Sequence, residues 1–329
     1  LVTSGIAATV GTIFGIISGV GKGTTEFLGD ASKVKAVSYS FIDNVVSWFP
    51  ENIVQAMVKQ DMLQIIVFAI FIGCALLTLG KEVDILVKGF DQCSKLMLKI
   101  TDFVMAFSPV GIAALMAKLV NSISGATVKD VITFIIMDYV AAIVVLVVMY
   151  PLLLKLLSGL SPLTFFKKIT EPMLVAITTT SSAATLPVSL KTAGTKLGIP
   201  ENVYGFTLPL GNTCGMNGFA IFIGLCCIFC SNVYGVEITF SKLVLYVFLG
   251  IILSVGAAGV KGAGIVMSTV LLEAIGMPLT VIPIFAAIWP AIDPPHTLLN
   301  NVSDIVGTSI IAKRLGLIDE NVYNSEIVD

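Results

Sequence analysis

From residue 202 to residue 236, between Glu201 and Glu237, the chain carries no acid, no base and no histidine. A helix needs roughly 20 consecutive apolar residues to cross a bilayer, so this run is longer than one crossing requires. Three other uncharged runs approach that length: 62–80, 243–260 and 274–292. They are continuously apolar rather than alternating, which favours helices over a β-barrel. Charged residues make up 12% of the 329 residues and hydrophobic ones 56%. A soluble domain carries about 25% charged residues. The chain is therefore expected to be an all-α membrane protein, and its net charge of −2 argues against a nucleic-acid partner.

A coarse reading places helices at 1–20, 37–58 with a break near Pro50, 61–80, 83–122 and 127–158. Gly80 and the turn-like stretches NSISGA (121–126) and SGLSP (158–162) separate them. The opening segment starts without Met or a flanking charge and reads as a spanning helix whose beginning is missing. Cys74, Cys93, Cys214, Cys226, Cys227 and Cys230 form no disulfide or zinc spacing. The group 226, 227 and 230 lies in an apolar run, where packing is the expected role over metal binding.

Beyond residue 160 the regularity fails. Segment 163–200 carries the hydroxyl cluster TTTSS (178–182) and is interrupted by Pro187. Segment 239–277 has the glycine-rich SVGAAGVKGAG (254–264) at its centre. Irregular backbone at membrane depth is tolerated only where it is buried in protein or lines a cavity. Two interrupted segments of this kind point to the binding site of a secondary transporter, each read as a re-entrant hairpin. At such a tip unpaired N–H groups favour an anion, and Ser181 and Ser182 add hydroxyl donors. The alternative for the hydroxyls is close helix packing. In the last apolar segment Asp293, Thr297, Asn300 and Asp304 share one helical face, with His296 beside them. Intramembrane carboxylates suggest function first and an internal hydrogen-bond network second.

Four ordered stretches together resemble the dicarboxylate/amino acid:cation symporter family of glutamate-transporter homologues. They are TTSSAATLPV, LPLGNTCGMNGFAIF (208–222), SVGAAGVKGAG and the final D..HT..N...DIVGTSIIAK, and the likeness runs from about residue 1 to 316. It implies a multi-pass protein of the cell membrane, of the prokaryotic plasma-membrane kind. It also implies a homotrimer and an elevator mechanism, with two and a half helices preceding Leu1. On this reading 1–20 is part of the transport domain, 37–125 is mainly scaffold and trimerisation helices, and 126–316 is the rest of the transport domain. Hairpin 1 falls at about 163–197, the motif helix at 201–233, hairpin 2 at 239–277, the last helix at 281–315 and a cytoplasmic tail at 317–329.

The resemblance also implies roles for single residues. Asp293 falls where the substrate's α-amino group is held, and Ser182 and Asn300 where its α-carboxylate is held. Ser181, Gly259, Gly264, Thr297, Phe219 and His296 fall around the same substrate. Asp304, with carbonyls of Gly211, Gly215 and Asn300, falls on one sodium site. Carbonyls of Thr213, Ser254, Val255 and Ala257 fall on a second, and Thr3, Ser4, Gly215 and Asn217 on a third.

Departures from the family pattern matter as much. Its Asn-Met-Asp-Gly-Thr stands here as Gly215-Met216-Asn217-Gly218-Phe219, which weakens the third site and leaves one or two sodium ions. Ile223 stands where the animal transporters carry a proton-bearing Glu, and Lys261 where a hairpin proline is usual. Lys261 either faces solvent or partly stands in for a coupling cation. His296 replaces the arginine that grips a second carboxylate, and the only arginine in the chain is Arg314, near its end. The expectation is a non-enzymatic, sodium-coupled symporter of an amino acid with a neutral side chain. The alternatives are an acidic amino acid or dicarboxylate symporter coupled to protons or sodium, and an uncoupled binding or channel-like relative.

Overall fold

The computed structural model describes residues 1–24, 46–59, 62–107, 110–111, 113–114, 125–257 and 263–325. Every regular element among them is helical. In chain order these are α1 (Val2–Ser18), α2 (Ile53–Lys59), α3 (Met62–Leu79), α4 (Asp84–Ala106), α5 (Gly125–Val144) and α6 (Tyr150–Ser158). They continue with α7 (Pro162–Lys168), α8 (Thr170–Thr179), α9 (Ser182–Thr195), α10 (Glu201–Cys214) and α11 (Asn217–Val233). The last are α12 (Phe240–Gly256), α13 (Ala263–Ala274), α14 (Ile282–Arg314) and α15 (Glu320–Asn324). Among the described residues three helical stretches are long and apolar enough to cross a membrane: Gln64–Met97, Gly125–Ser158 and Glu201–Val233.

The expected 201–233 helix is in fact two helices. Gly215 and Met216 leave helical geometry, with φ −104°, ψ 51° and φ −87°, ψ 65°, and so separate α10 from α11. Within the expected 83–122 helix, α4 ends at Ala106 and residues 108–109, 112 and 115–124 lie outside the described ones, as does 37–45. A π turn over Val145–Met149 joins α5 to α6, a widening of the helix that often sits beside functional groups.

The core is built on α11, almost every residue of which is buried. Cys226 and Cys230 lie one turn apart within it, their sulfurs 4.0 Å apart. Helix α1 packs against α11 backbone to backbone through small residues, the arrangement that membrane helices use where lipid supplies no hydrophobic drive. A Cβ on Gly11 would fall 2.2 Å from the Ile221 carbonyl oxygen, and one on Gly224 would fall 2.4 Å from that of Ala8. Around α11, Phe134, Phe222, Phe229 and Phe285 form an edge-to-face cluster with centroids 5.4–5.8 Å apart.

Helix α14 threads the centre although Pro290, Pro294 and Pro295 lie inside it. A proline has no N–H to bond the carbonyl four residues back. For Pro295 that carbonyl is Ala291, and the Tyr139 hydroxyl donates to it instead at 2.6 Å. At the far end, α15 closes on the bases of α7 and α9. Tyr323 Oη donates to Ser161 O at 2.9 Å, and the buried Lys168 amine donates to Lys196 O and Val322 O. Burial pushes the Lys168 amine below the usual lysine range.

The α1–α11 contact gives a direct test. Gly224→Leu must force the two backbones apart and is expected to cost about 1–3 kcal/mol or more. Ala220→Gly leaves the contact geometry open. Thermal unfolding in detergent should show a large loss for the first and a small one for the second.

Candidate functional site

The site forms where three interrupted segments meet α14. The first interruption is the tip between α8 and α9. Thr180 there has φ 50°, the only positive φ outside glycine among the described residues. For a β-branched residue that conformation is strained. Ser181 then caps α9, its Oγ accepting from Ala184 N–H at 3.3 Å. Ser182 is buried in the first turn, and its Oγ accepts from Asn301 Nδ2 at 3.2 Å. Its own hydroxyl proton remains available to a ligand.

The second interruption is the α10–α11 break. The freed Gly218 N–H donates to Asn300 Oδ1 at 2.8 Å, while Asn300 Nδ2 faces only the Met216 sulfur at 3.2 Å. A thioether is a weak acceptor, so that donor can be taken over by a stronger one. Gly218 is required here, since a Cβ would lie 2.3 Å from the His296 Cα. Asp304 sits against the outer side of the same break. A Cβ on Gly211 would come within 2.5 Å of its Oδ1, and one on Gly215 within 2.4 Å. Among the described residues no ion pair reaches Asp304.

The third interruption follows α12, whose last turn contains Ser254 and Val255. Ala257 there is extended, at φ −76°, ψ 125°. Carbonyls at such an end have no helical partners, and α10, which carries Thr213, packs against α12. Gly259 and Lys261 lie outside the described residues. Gly264 is packed under the Trp289 ring, where a Cβ would overlap Trp289 Cη2 at 1.7 Å. Asp293 is half-buried and Thr297 buried, with the Thr297 carbonyl accepting from Asn301 Nδ2 at 2.8 Å.

Two of the expected groups of residues have partners that the sequence did not name. Thr3, Ser4 and Asn217 do come together, but as a closed neutral network. Asn217 Oδ1 accepts from Ser4 Oγ at 2.9 Å and Thr3 Oγ1 at 3.4 Å, and Asn217 Nδ2 donates to Tyr150 Oη at 3.1 Å. Tyr150 in turn donates to Leu299 O at 2.9 Å. An amide whose oxygen takes two hydroxyl donors, with no carboxylate beside it, is a poor match for a cation. His296 is not an isolated imidazole beside Phe219. Its Nε2 lies 2.9 Å from both carboxylate oxygens of Asp138, and both residues are buried. Phe219 stacks on Phe222 and meets Trp289 edge-on.

Asp138, Tyr150 and Asn301 escaped the sequence reading. Asp138 carried a usable signal: it is the one charge between Asp130 and Lys155, in the middle of an apolar span.

This constellation belongs to a helical carrier, with polar groups gathered where helices break inside an apolar bundle. The sequence model of the Sodium:dicarboxylate symporter family matches residues 1–314, and the chain belongs to that family. It is 30% identical to an uncharacterized symporter of Haemophilus influenzae over 80% of the chain and 62% of that protein. It is 29% identical to the mouse neutral amino acid transporter B(0), over 84% of the chain and 52% of the transporter. It is 26% identical to the L-cystine uptake protein TcyP of Bacillus thuringiensis, over 99% of the chain and 74% of that protein. The chain thus spans between about half and two thirds of the length of the first two. The family and these relatives are transporters, not enzymes.

The Asn217 network predicts its own fragility. Tyr150→Phe leaves Asn217 Nδ2 and the Leu299 carbonyl without their partner, each worth about 1–3 kcal/mol when buried. Thermal unfolding in detergent should fall clearly for Tyr150→Phe, and a melting temperature unchanged from the parent would show that the network contributes nothing.

Proposed function

We propose that this protein is a sodium-coupled symporter of an amino acid with an uncharged side chain, in the plasma membrane. The observation that carries the reading is the Asp304 carboxylate, seated at a helix break against Gly211 and Gly215 with no ion-pair partner among the described residues. Sodium is a hard cation that takes oxygen ligands, and interrupted helices supply spare carbonyls for it. Carbonyls of Gly211, Gly215 and Asn300 complete the first site, and those of Thr213, Ser254, Val255 and Ala257 the second. The neutral Asn217 network takes the place of a third, so one or two ions accompany each substrate.

Asp293 binds the substrate ammonium, while the Ser182 hydroxyl and Asn300 Nδ2 bind its carboxylate. A plain dicarboxylate would bring no amine to Asp293 and would set a second negative charge against that acid. The names of the mouse and Bacillus relatives agree with an uncharged side chain or with cystine, whose far end carries both an ammonium and a carboxylate.

In the transport cycle, residues 163–197 and 239–277 act as the two re-entrant hairpins. The second closes over the site when ions and substrate are bound. Asp304 without sodium keeps a half-buried charge uncompensated, and that charge opposes passage through the apolar interior. Once it is compensated, residues 1–20 and 126–316 cross as one body past the scaffold at 37–125, within a homotrimer.

Asp304→Asn should remove most of the sodium dependence of substrate binding, and Asp293→Ala should abolish amino-acid binding while sodium still stabilises the protein. Both can be read by thermal shift of the full-length protein with L-serine, L-glutamine, L-cystine and L-aspartate, with and without sodium. Binding that ignores sodium in the parent rejects symport with this ion. A sodium Hill coefficient of about three would contradict the loss of the third site.

A further inference from the structure

The buried pair of Asp138 on α5 and His296 on α14 has no part in the ion sites, and three observations define what it does. Both oxygens of Asp138 lie 2.9 Å from His296 Nε2, so the carboxylate holds that nitrogen as its donor. His296 Nδ1 is buried and has no hydrogen-bond partner among the described residues. The ring stands in the wall of the site, between Trp289 at 5.9 Å and Phe222 at 6.3 Å, with its Cα against Gly218 at the start of α11. The same Gly218 N–H is bonded to Asn300, one turn further along α14.

We propose that Asp138 is a specificity-determining residue that cancels the positive charge of His296, so that the site rejects a second carboxylate and accepts a side chain with no net charge. This rests on the symport reading above and names what sets its substrate class. The argument is one of charge. With His296 neutral, Nε2–H goes to Asp138 and Nδ1 presents a lone pair, which accepts a hydroxyl, amide or thiol proton and repels a carboxylate. With His296 protonated, Nδ1–H can donate, but the pair has zero net charge. An incoming carboxylate then adds an unbalanced negative charge to a low-dielectric wall. In neither state does it meet a net cation. A neutral donor satisfies Nδ1 in the first state, and a neutral acceptor or a far end of zero net charge satisfies it in the second.

The consequence is that placing an arginine at 296 is not sufficient to make the site acidic-selective. With Asp138 present the guanidinium is neutralised as the imidazole is. The test compares four proteins in proteoliposomes: parent, Asp138→Asn, His296→Arg, and the double variant. Uptake of labelled L-serine or L-cystine down a sodium gradient is measured with unlabelled L-aspartate as competitor. Aspartate should compete about tenfold or more better in the double variant than in His296→Arg alone. In Asp138→Asn the substrate carboxylate can itself become the counter-charge, so aspartate should also gain there. Equal aspartate inhibition of His296→Arg and the double variant overturns the proposal. If proteins carrying Asp138→Asn do not fold by size-exclusion chromatography, His296→Arg alone decides: a tenfold gain for aspartate with Asp138 intact overturns the proposal, and no gain supports it. Failure of the symport reading looks different, since the parent would then take up neither labelled amino acid under any sodium gradient.

Discussion

The break between α10 and α11 is the constraint around which the rest of the site is arranged. Inside an apolar bundle the N–H and C=O groups released by a broken helix must find partners in the protein. Here Gly215 N–H returns to Gly211 O at 2.6 Å, Asn217 N–H to Gly215 O at 3.1 Å, and Gly218 N–H crosses to the Asn300 side chain. The Asn217 side chain then binds α1 on one side and Tyr150 on the other. One irregular turn therefore fixes the relative positions of α1, α6 and α14. Asn300 holds the break with its oxygen and leaves its amide on a sulfur, so a ligand that attracts the amide also acts on the backbone of the break.

Three polar clusters lie within this bundle, and they differ in charge balance. The Thr3, Ser4, Asn217 and Tyr150 group is neutral and closed, each amide end engaged. The Asp138 carboxylate is paired with His296. Asp304 has no ion-pair partner among the described residues. A buried charge left without a partner is destabilising, whereas a neutral network or a compensated pair is tolerated. This ranking separates Asp304, which calls for an external cation, from the other two, whose polar groups are held mainly by the protein itself.

Much of the helical pattern was legible because length, lack of charge and glycine-rich interruptions are local signals. The last helix, expected at 281–315, runs Ile282–Arg314, and the 127–158 span begins at Gly125. The polar stripe on α14 was likewise visible through its four- and three-residue spacing. The partners across the bundle were not. Asp138 and His296 lie 158 positions apart and Asn217 and Tyr150 lie 67 apart, and no periodicity within one helix reports which neighbour a side chain meets. Asn301 was hidden by Asn300: two adjacent amides point 100° apart on a helix, and only one could share the stripe. The α10–α11 break escaped because Gly215 and Met216 lie in a long uncharged run, where absence of charge alone reads as one helix.

The seam between α5, α6 and α14 carries the argument about moving parts one step further. Tyr139 bonds the carbonyl of Ala291 exposed by Pro295, Asp138 bonds His296, and Tyr150 bonds the carbonyl of Leu299. These three ties bridge the same pair of spans at successive turns of α14. Opening the seam would strand the buried groups of the Asp138–His296 and Tyr150–Leu299 ties, at about 1–3 kcal/mol apiece. The helical stretch Gln64–Met97, by contrast, lies almost wholly at the surface of the described chain. A motion that carried α14 while leaving Gly125–Ser158 behind would break every tie, whereas one that carried both past the Gln64–Met97 stretch would break none of them. Pro295 thus helps to tie the two spans together: by removing a backbone donor it creates the acceptor through which Tyr139 joins its helix to the last one.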